Sequence, residues 1–119
     1  MPHLTIEITG NLKPFVHAPA LLQAAHQVLL QSHVFSVSDI KSRLVWLNDF
    51  CTGEAGDAEG FVHASLDLLA GRPPEVHQKL AADVASALQF GLDGVVSMPV
   101  QVSCWVRDMD QGSYIKHRI

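Results

Sequence analysis

The sequence predicts an α/β (α+β) fold in which two tandem β-α-β units form one four-stranded sheet with two helices on one face. Three observations predict it: strand-like alternation of apolar and polar residues, helical spacing after each first strand, and a similarity between the two halves of the chain. The chain has 119 residues, of which 48% are apolar and 17% are charged. A single domain spanning 1–119 can therefore bury a substantial core.

The two halves match at an offset of about 60 residues. PHLTIEI at 2–8 aligns with VHASLDL at 62–68, and VWLND at 45–49 resembles CWVRD at 104–108, which places Trp46 on Trp105. Short apolar strands also resemble one another by chance, but both matches have nearly the same offset. We therefore predict two pseudo-repeats, about 2–58 and 62–119.

The first strand of each unit is predicted from alternating apolar and polar residues, the period that buries one face of a strand. The apolar members are Leu4, Ile6 and Ile8 in the first unit and Ala64, Leu66 and Leu68 in the second. Gly10 and Asn11 should end the first of these strands.

A helix is predicted after each first strand. The first runs roughly from Pro19 to Gln31, and the second follows Pro73 and Pro74, where a missing N–H costs little, and continues to Gly91. Each helix is long enough for a right-handed crossover between parallel strands. The expected core-facing residues are Leu22, Ala25 and Leu29 in the first helix and Val76, Leu80, Val84 and Leu88 in the second.

The second face of this sheet has nothing in the chain left to cover it. Apolar and aromatic residues occupy both faces of the second strand, with Leu44 and Trp46 on one face and Val45 and Leu47 on the other. We therefore expect the helix-free face to pack against other subunits.

Several classes of function are disfavoured by composition. The formal charge is -4 and no run of Lys or Arg occurs, which argues against a nucleic-acid surface. No apolar stretch reaches the roughly 20 residues of a spanning helix, and the N-terminus lacks a signal-peptide pattern, so a cytoplasmic location is expected. Cys51 and Cys104 have no CxxC spacing; Cys104 is expected in the core, and no disulfide or thiol chemistry is expected.

Metal binding is also not expected, because the seven histidines form no HxxxH or Cys/His spacing. His3 and His63 share a repeat position, which indicates duplicated strand structure rather than a pair of ligands.

Pro2 directly follows the first methionine. Methionine before a small residue is normally trimmed, so we expect the mature chain to begin at Pro2 with a free secondary amine. An α-amine has a pKa of about 7.7–8.0, and burial or nearby cations lower it, which would make this amine a neutral base at physiological pH. The alternative is that Pro2 simply begins a strand, where a residue without an N–H is tolerated.

The terminal proline, the β-α-β units and AGR at 70–72 together resemble the tautomerase superfamily, and specifically the 5-carboxymethyl-2-hydroxymuconate isomerase family. The similarity covers essentially the full chain. Its more specific segments are IKSRLVWL at 40–47, FVHASLDLLAGR at 61–72 and the C-terminal segment around Tyr114 and Lys116. The second unit alone also resembles the short 4-oxalocrotonate tautomerase subunit.

The resemblance implies a cytoplasmic, cofactor-free isomerase of aromatic-compound catabolism that forms a homotrimer. Its substrate would be a small carboxylate with a conjugated dienol or keto-enol system, of the 5-carboxymethyl-2-hydroxymuconate type. The terminal proline would transfer the proton, while cations stabilise the negative charge that develops on oxygen.

Four site residues follow from the resemblance. Pro2 matches the family's catalytic proline, and Arg72 matches an arginine that would hold a substrate carboxylate. Where the family has an Arg-Ser-Arg run, this chain has Lys41, Ser42 and Arg43. Arg43 is thus retained, whereas Lys41 replaces a planar, bidentate carboxylate partner with a point charge, which leaves the identity of the substrate open. Any one of these cations alone would also fit a solvated surface position.

A different class of function remains open at this point. The fold could serve a binding or signalling protein, as resemblance to macrophage migration inhibitory factor-like members allows, or a tautomerase with an unrelated substrate. A free Pro2 amine with cations near it would distinguish the enzyme from a binding protein.

Overall fold

The computed structural model describes all 119 residues and confirms the predicted fold class. The elements are β1 (His3–Thr9), α1 (Ala18–Gln31), β2 (Lys41–Leu47), β3 (Gly60–Leu69), α2 (Pro74–Leu92) and β4 (Val100–Met109), with short 3₁₀ turns at Gly10–Leu12, Val37–Asp39 and Gln111–Ser113. The sheet has the order β2-β1-β3-β4, with β1/β2 and β3/β4 parallel and the central pair β1/β3 antiparallel. The two helices form the crossovers between the parallel strands.

The central strands β1 and β3 form the base of the core. All six apolar residues predicted to face inward are fully buried beneath the helices, which confirms the alternation of both strands. β1 ends at Thr9, and Gly10 then turns the chain beside the end of β2. A Cβ atom at Gly10 would lie 2.9 Å from the carbonyl oxygen of Leu47, so a side chain there would force the two backbones apart.

Both helices lie within a residue of the predicted ends, but the buried face of α1 differs from the prediction. Leu21 is buried together with Ala25 and Leu29, whereas Leu22 is only partly buried. Positions 21, 25 and 29 are four residues apart and form one row along the helix, which leaves Leu22 at its edge. The buried residues of α2 are Leu80, Val84, Leu88 and Leu92, and Val76 is partly buried. Neither helix is long and apolar enough to cross a membrane.

The two tryptophans do not occupy equivalent positions, which corrects the second of the sequence matches. Trp46 pairs with Ile8 and packs against the core on the helix side. Trp105 pairs with Ser65 on the opposite side and is 60% exposed. Shifting a strand match by an odd number of residues reverses every side chain, so the alignment of Trp46 on Trp105 was out of register. The order of elements is nevertheless the same in both halves.

The helix-free face is more polar at its centre than expected. Its middle strands carry His3, Thr5 and Glu7 on β1 and His63, Ser65 and Asp67 on β3, because these residues alternate with the buried ones. Exposed apolar side chains occur on the outer strands, where Val45 is 44% exposed and Trp105 is 60% exposed. Cys104 lies on the other face against the core as predicted, and burial raises the pKa of its thiol to about 11.

Candidate active site

The start of β1 is held firmly in place. The Pro2 ring is fully buried, and the Pro2 carbonyl accepts a 3.1 Å hydrogen bond from the backbone N–H of Lys41 at the start of β2. The Met1 ammonium donates a 2.8 Å hydrogen bond to the main-chain oxygen of Asp39. The amino terminus therefore lies against the turn that precedes β2.

A cavity of about 420 Å³ opens beside this terminus. Four separate segments meet there: the start of β1, the loop between α1 and β2, the end of β3, and the C-terminal tail. The polar lining therefore comes from residues far apart in the chain. The lining residues are Met1, Val34, Phe35, Ser36, Asp39, Leu69, Arg72, Tyr114 and Lys116.

Arg72 is fixed on the cavity wall by neutral partners. Its guanidinium donates to the carbonyl oxygens of Leu69 at 3.2 Å and Val34 at 3.4 Å, and it lies 4.9 Å from the centre of the Phe35 ring. No carboxylate pairs with it. A guanidinium that is positioned but not neutralised is suited to bind a carboxylate.

Two lysines meet at Asp39, close to the amino terminus. Lys41 Nζ donates to the main-chain oxygen of Asp39 at 2.9 Å, and Lys116 Nζ lies 2.6 Å from Asp39 Oδ1. Burial lowers the pKa of the Met1 amine from 8.0; the Lys41 charge lowers it further, Asp39 opposes this, and Lys116 adds a smaller lowering effect. The amine therefore loses its proton more readily here than at a solvent-exposed terminus.

A chain of hydrogen bonds connects Arg43 to the cavity. Arg43 Nε donates to Thr5 Oγ1 at 3.1 Å, and its Nη2 donates to His3 Nδ1 at 3.0 Å. His3 Nε2 lies 3.0 Å from the Tyr114 hydroxyl. Burial and then the positive charge of Arg43 lower the pKa of His3, which favours the neutral imidazole.

The model of the family described as 5-carboxymethyl-2-hydroxymuconate isomerase matches residues 2–118. The chain belongs to this family. The predicted resemblance is thereby confirmed, and the match includes every residue of the cavity wall except Met1.

Individual relatives agree with the family assignment. The 5-carboxymethyl-2-hydroxymuconate Delta-isomerase of Escherichia coli is 27% identical over 79 residues, which cover 66% of this chain and 63% of that protein, somewhat less than two thirds of its length. The crystal structure of a 5-carboxymethyl-2-hydroxymuconate isomerase from Deinococcus radiodurans R1 superposes with a TM-score of 0.89 at 27% identity, covering 99% of this chain and 90% of that one.

A more distant neighbour shares the fold alone. A fused 4-OT, described as a wild-type symmetric trimer, has a TM-score of 0.73 at 23% identity and covers 92% of this chain and 87% of its own.

The structure places the residues carried over from the family in two groups. Pro2, Lys41 and Arg72 lie at or beside the cavity, whereas Arg43 reaches it only through His3 and Tyr114. No three His, Cys, Asp or Glu side chains come together in a way that could hold a metal ion.

Sequence reasoning did not assign roles to Asp39, Tyr114 and Lys116. The sequence identifies Tyr114 and Lys116 only as part of the C-terminal segment that resembles the family. No spacing rule connects residues that lie 77 positions apart, as Asp39 and Lys116 do. The signal available in the sequence was the single tyrosine, two residues before a lysine, in a tail without a strand or helix pattern.

Proposed function

We propose that this protein is an isomerase that moves a proton along the conjugated dienol of a carboxylate substrate of the 5-carboxymethyl-2-hydroxymuconate type, with Pro2 as the base. The observation that carries the proposal is the convergence of the amino terminus, Arg72 and Lys116 on one cavity. Membership of the family and the names of its relatives support the choice of substrate class.

Removal of Met1 is the first requirement of this proposal. Met1 forms part of the cavity wall, so its loss would enlarge the cavity and make the Pro2 nitrogen the chain terminus. The buried ring and the hydrogen bond from Lys41 to the Pro2 carbonyl would keep that nitrogen in place. The burial and the cations that lower the pKa of the Met1 amine would act on the Pro2 amine as well, since it lies one residue further inward.

The proposed reaction is a proton transfer without net oxidation. A 2-hydroxydiene acid is the enol form of a 2-oxo acid. The Pro2 nitrogen takes the proton of the enol hydroxyl, the double bonds shift, and the resulting ammonium returns the proton to a carbon of the conjugated system. One O–H bond breaks and one C–H bond forms, while Arg72, which no carboxylate of the protein neutralises, holds a substrate carboxylate.

We also propose that the active assembly is a homotrimer. The exposed apolar side chains of the helix-free face, Val45 and Trp105, lie on the outer strands, where a second sheet could cover them. The fused 4-OT neighbour, described as a symmetric trimer, supports this assembly through its shared fold.

An assay of protein without any N-terminal tag tests the proposal. Intact mass should correspond to a chain that begins at Pro2, and ultraviolet absorbance should follow the conversion of 5-carboxymethyl-2-hydroxymuconate. A matched protein with an uncleavable N-terminal extension should keep its circular dichroism spectrum and lose activity, because its Pro2 nitrogen is an amide. Full activity in protein that retains Met1 would overturn the mechanism. Absence of turnover in Met1-free protein would favour a binding protein instead.

A further inference from the structure

Tyr114 lines the proposed substrate cavity, and the hydrogen of its hydroxyl has no acceptor within the protein. Its single hydrogen-bond partner is His3 Nε2 at 3.0 Å, and Tyr114 is also part of the cavity wall shared with Met1 and Arg72.

The direction of the bond between His3 and Tyr114 follows from the other side of the imidazole. Arg43 can only donate, so His3 Nδ1 must accept its 3.0 Å hydrogen bond. A neutral imidazole with Nδ1 as acceptor carries its hydrogen on Nε2. His3 therefore donates to the Tyr114 oxygen, and the phenolic hydrogen is left to find another acceptor.

The tail that carries Tyr114 is anchored on both sides of it. Gln111 Nε2 donates to the carbonyl oxygen of Ala70 at 2.8 Å, and Lys116 pairs with Asp39 at 2.6 Å. The Tyr114 ring also packs edge-on against His3, with ring centres 5.8 Å apart. A donor held in this way loses little entropy when it binds an oxygen of a ligand.

We propose that Tyr114 is a further catalytic residue, whose hydroxyl donates a hydrogen bond to the substrate oxygen that gains negative charge when the enol proton leaves. His3 and Arg43 are positioning residues that orient this hydroxyl. Arg72 has a different role, because its planar guanidinium can donate two hydrogen bonds to a carboxylate, whereas the Tyr114 hydroxyl donates to a single oxygen. The inference rests on the proposed function for its substrate, and Tyr114 itself transfers no proton.

The first test removes the hydroxyl alone. Tyr114→Phe should lower kcat by about 10² with little change in KM, the effect of losing one donor to a developing oxyanion. The matched control is Thr52→Val, which removes a hydroxyl that donates to the Glu59 carbonyl oxygen at 3.1 Å, outside the cavity. The control should keep wild-type kcat. Wild-type kcat in Tyr114→Phe, with the fold confirmed by circular dichroism, would overturn the proposal.

The second test measures binding and does not depend on turnover. Tyr114 is the only tyrosine in the chain, so biosynthetic 3-fluorotyrosine labels this position alone. Two diacids differ by the relevant oxygen: 2-oxoadipate carries a 2-oxo group and adipate does not. The ¹⁹F signal should shift more with 2-oxoadipate, and calorimetry should show a preference for 2-oxoadipate that Tyr114→Phe loses. An equal preference in wild type and Tyr114→Phe would contradict the proposal.

The positioning role of His3 has its own variant pair. His3→Gln retains an N–H donor, so it should keep part of the kcat that His3→Leu loses. An equal loss of kcat in both variants would contradict the positioning role of His3.

The Pro2→Ala variant separates the role of Tyr114 from the proposed function, because it should lose turnover but keep the preference for 2-oxoadipate. Turnover that does not depend on Pro2 would instead contradict the proposed function.

Discussion

Lys116 Nζ lies 2.6 Å from Asp39 Oδ1 and joins the C-terminal tail to the turn before β2, 77 residues earlier in the chain. This ion pair closes one side of the cavity and holds Tyr114 beside His3. The side chains involved are partly exposed, at 40% for Lys116 and 30% for Asp39. The pair is therefore expected to organise the tail more than it stabilises the whole fold.

Loss of this pair should loosen the tail. Lys116→Met should raise KM by roughly two- to fivefold, since a partly exposed ion pair contributes little more. Amide hydrogen exchange should also become faster at Ser113, whose N–H donates to the Asp110 carbonyl oxygen within this tail. The control Lys79→Met removes the 2.9 Å pair with Asp83 on α2, away from the cavity, and should change neither quantity. Unchanged exchange in Lys116→Met would show that other contacts hold the tail.

The pH dependence should report the lowered pKa of the terminal amine. The neutral amine is the base, so kcat/KM should rise with pH and level off above an apparent pKa below 8.0, the ordinary value. Burial is the largest cause and the Lys41 charge the next, so Lys41→Met should move the apparent pKa upward while burial still keeps it below 8.0. An apparent pKa that stays the same in Lys41→Met would mean that Lys41 does not face the base.

Arg72 should act mainly on substrate binding. An arginine that holds a carboxylate equally in the ground and transition states changes KM rather than kcat. A hydrogen bond to a charged group contributes about 1.5–3 kcal/mol, so Arg72→Ala should raise KM by about 10- to 150-fold. Arg72→Lys should recover only part of this, because it loses the fork held by Val34 and Leu69. A large fall in kcat with unchanged KM would place Arg72 at the reacting oxygen instead.

Arg43 should show the opposite pattern, since it reaches the cavity through His3. Its replacement by methionine should lower kcat more than it raises KM.

The assembly can be tested with two exposed aromatic residues. Wild-type protein should behave as a trimer of 13.0 kDa chains in light scattering. Trp105 is 60% exposed on the helix-free face and Phe90 is 87% exposed on α2. Trp105→Glu would bury a charge at the proposed interface and should weaken the trimer, whereas Phe90→Glu should leave it intact. A monomeric wild type, or disruption by Phe90→Glu alone, would reject this interface.

The fold was predictable because strand alternation and helix start signals act locally. Leu4, Ile6 and Ile8 alternate with polar neighbours, and Pro73 and Pro74 mark a helix start, so both elements could be read from short windows. The prediction was wrong where the second strands of the two halves had to be aligned residue by residue. Trp46 and Trp105 resemble each other in sequence but face opposite sides, because strand pairing, not similarity, fixes the face.

The cavity was only partly predictable for a related reason. The family resemblance predicts Pro2, Lys41 and Arg72 as site residues. The structure shows that all three lie at or beside one cavity. Asp39 and Tyr114 gain a role only when the tail folds back over β1, which is a tertiary event without a local signature.

The central claim is that the Pro2 nitrogen is the base, and kcat of Pro2→Ala tests it most directly. Both proteins should be free of Met1 by intact mass and assayed with 5-carboxymethyl-2-hydroxymuconate at saturating concentration. The variant keeps a terminal amine but makes it primary and more mobile, so its kcat should fall by about 10²- to 10⁴-fold, the usual contribution of a positioned general base. A Pro2→Ala protein with the kcat of wild type would contradict the account.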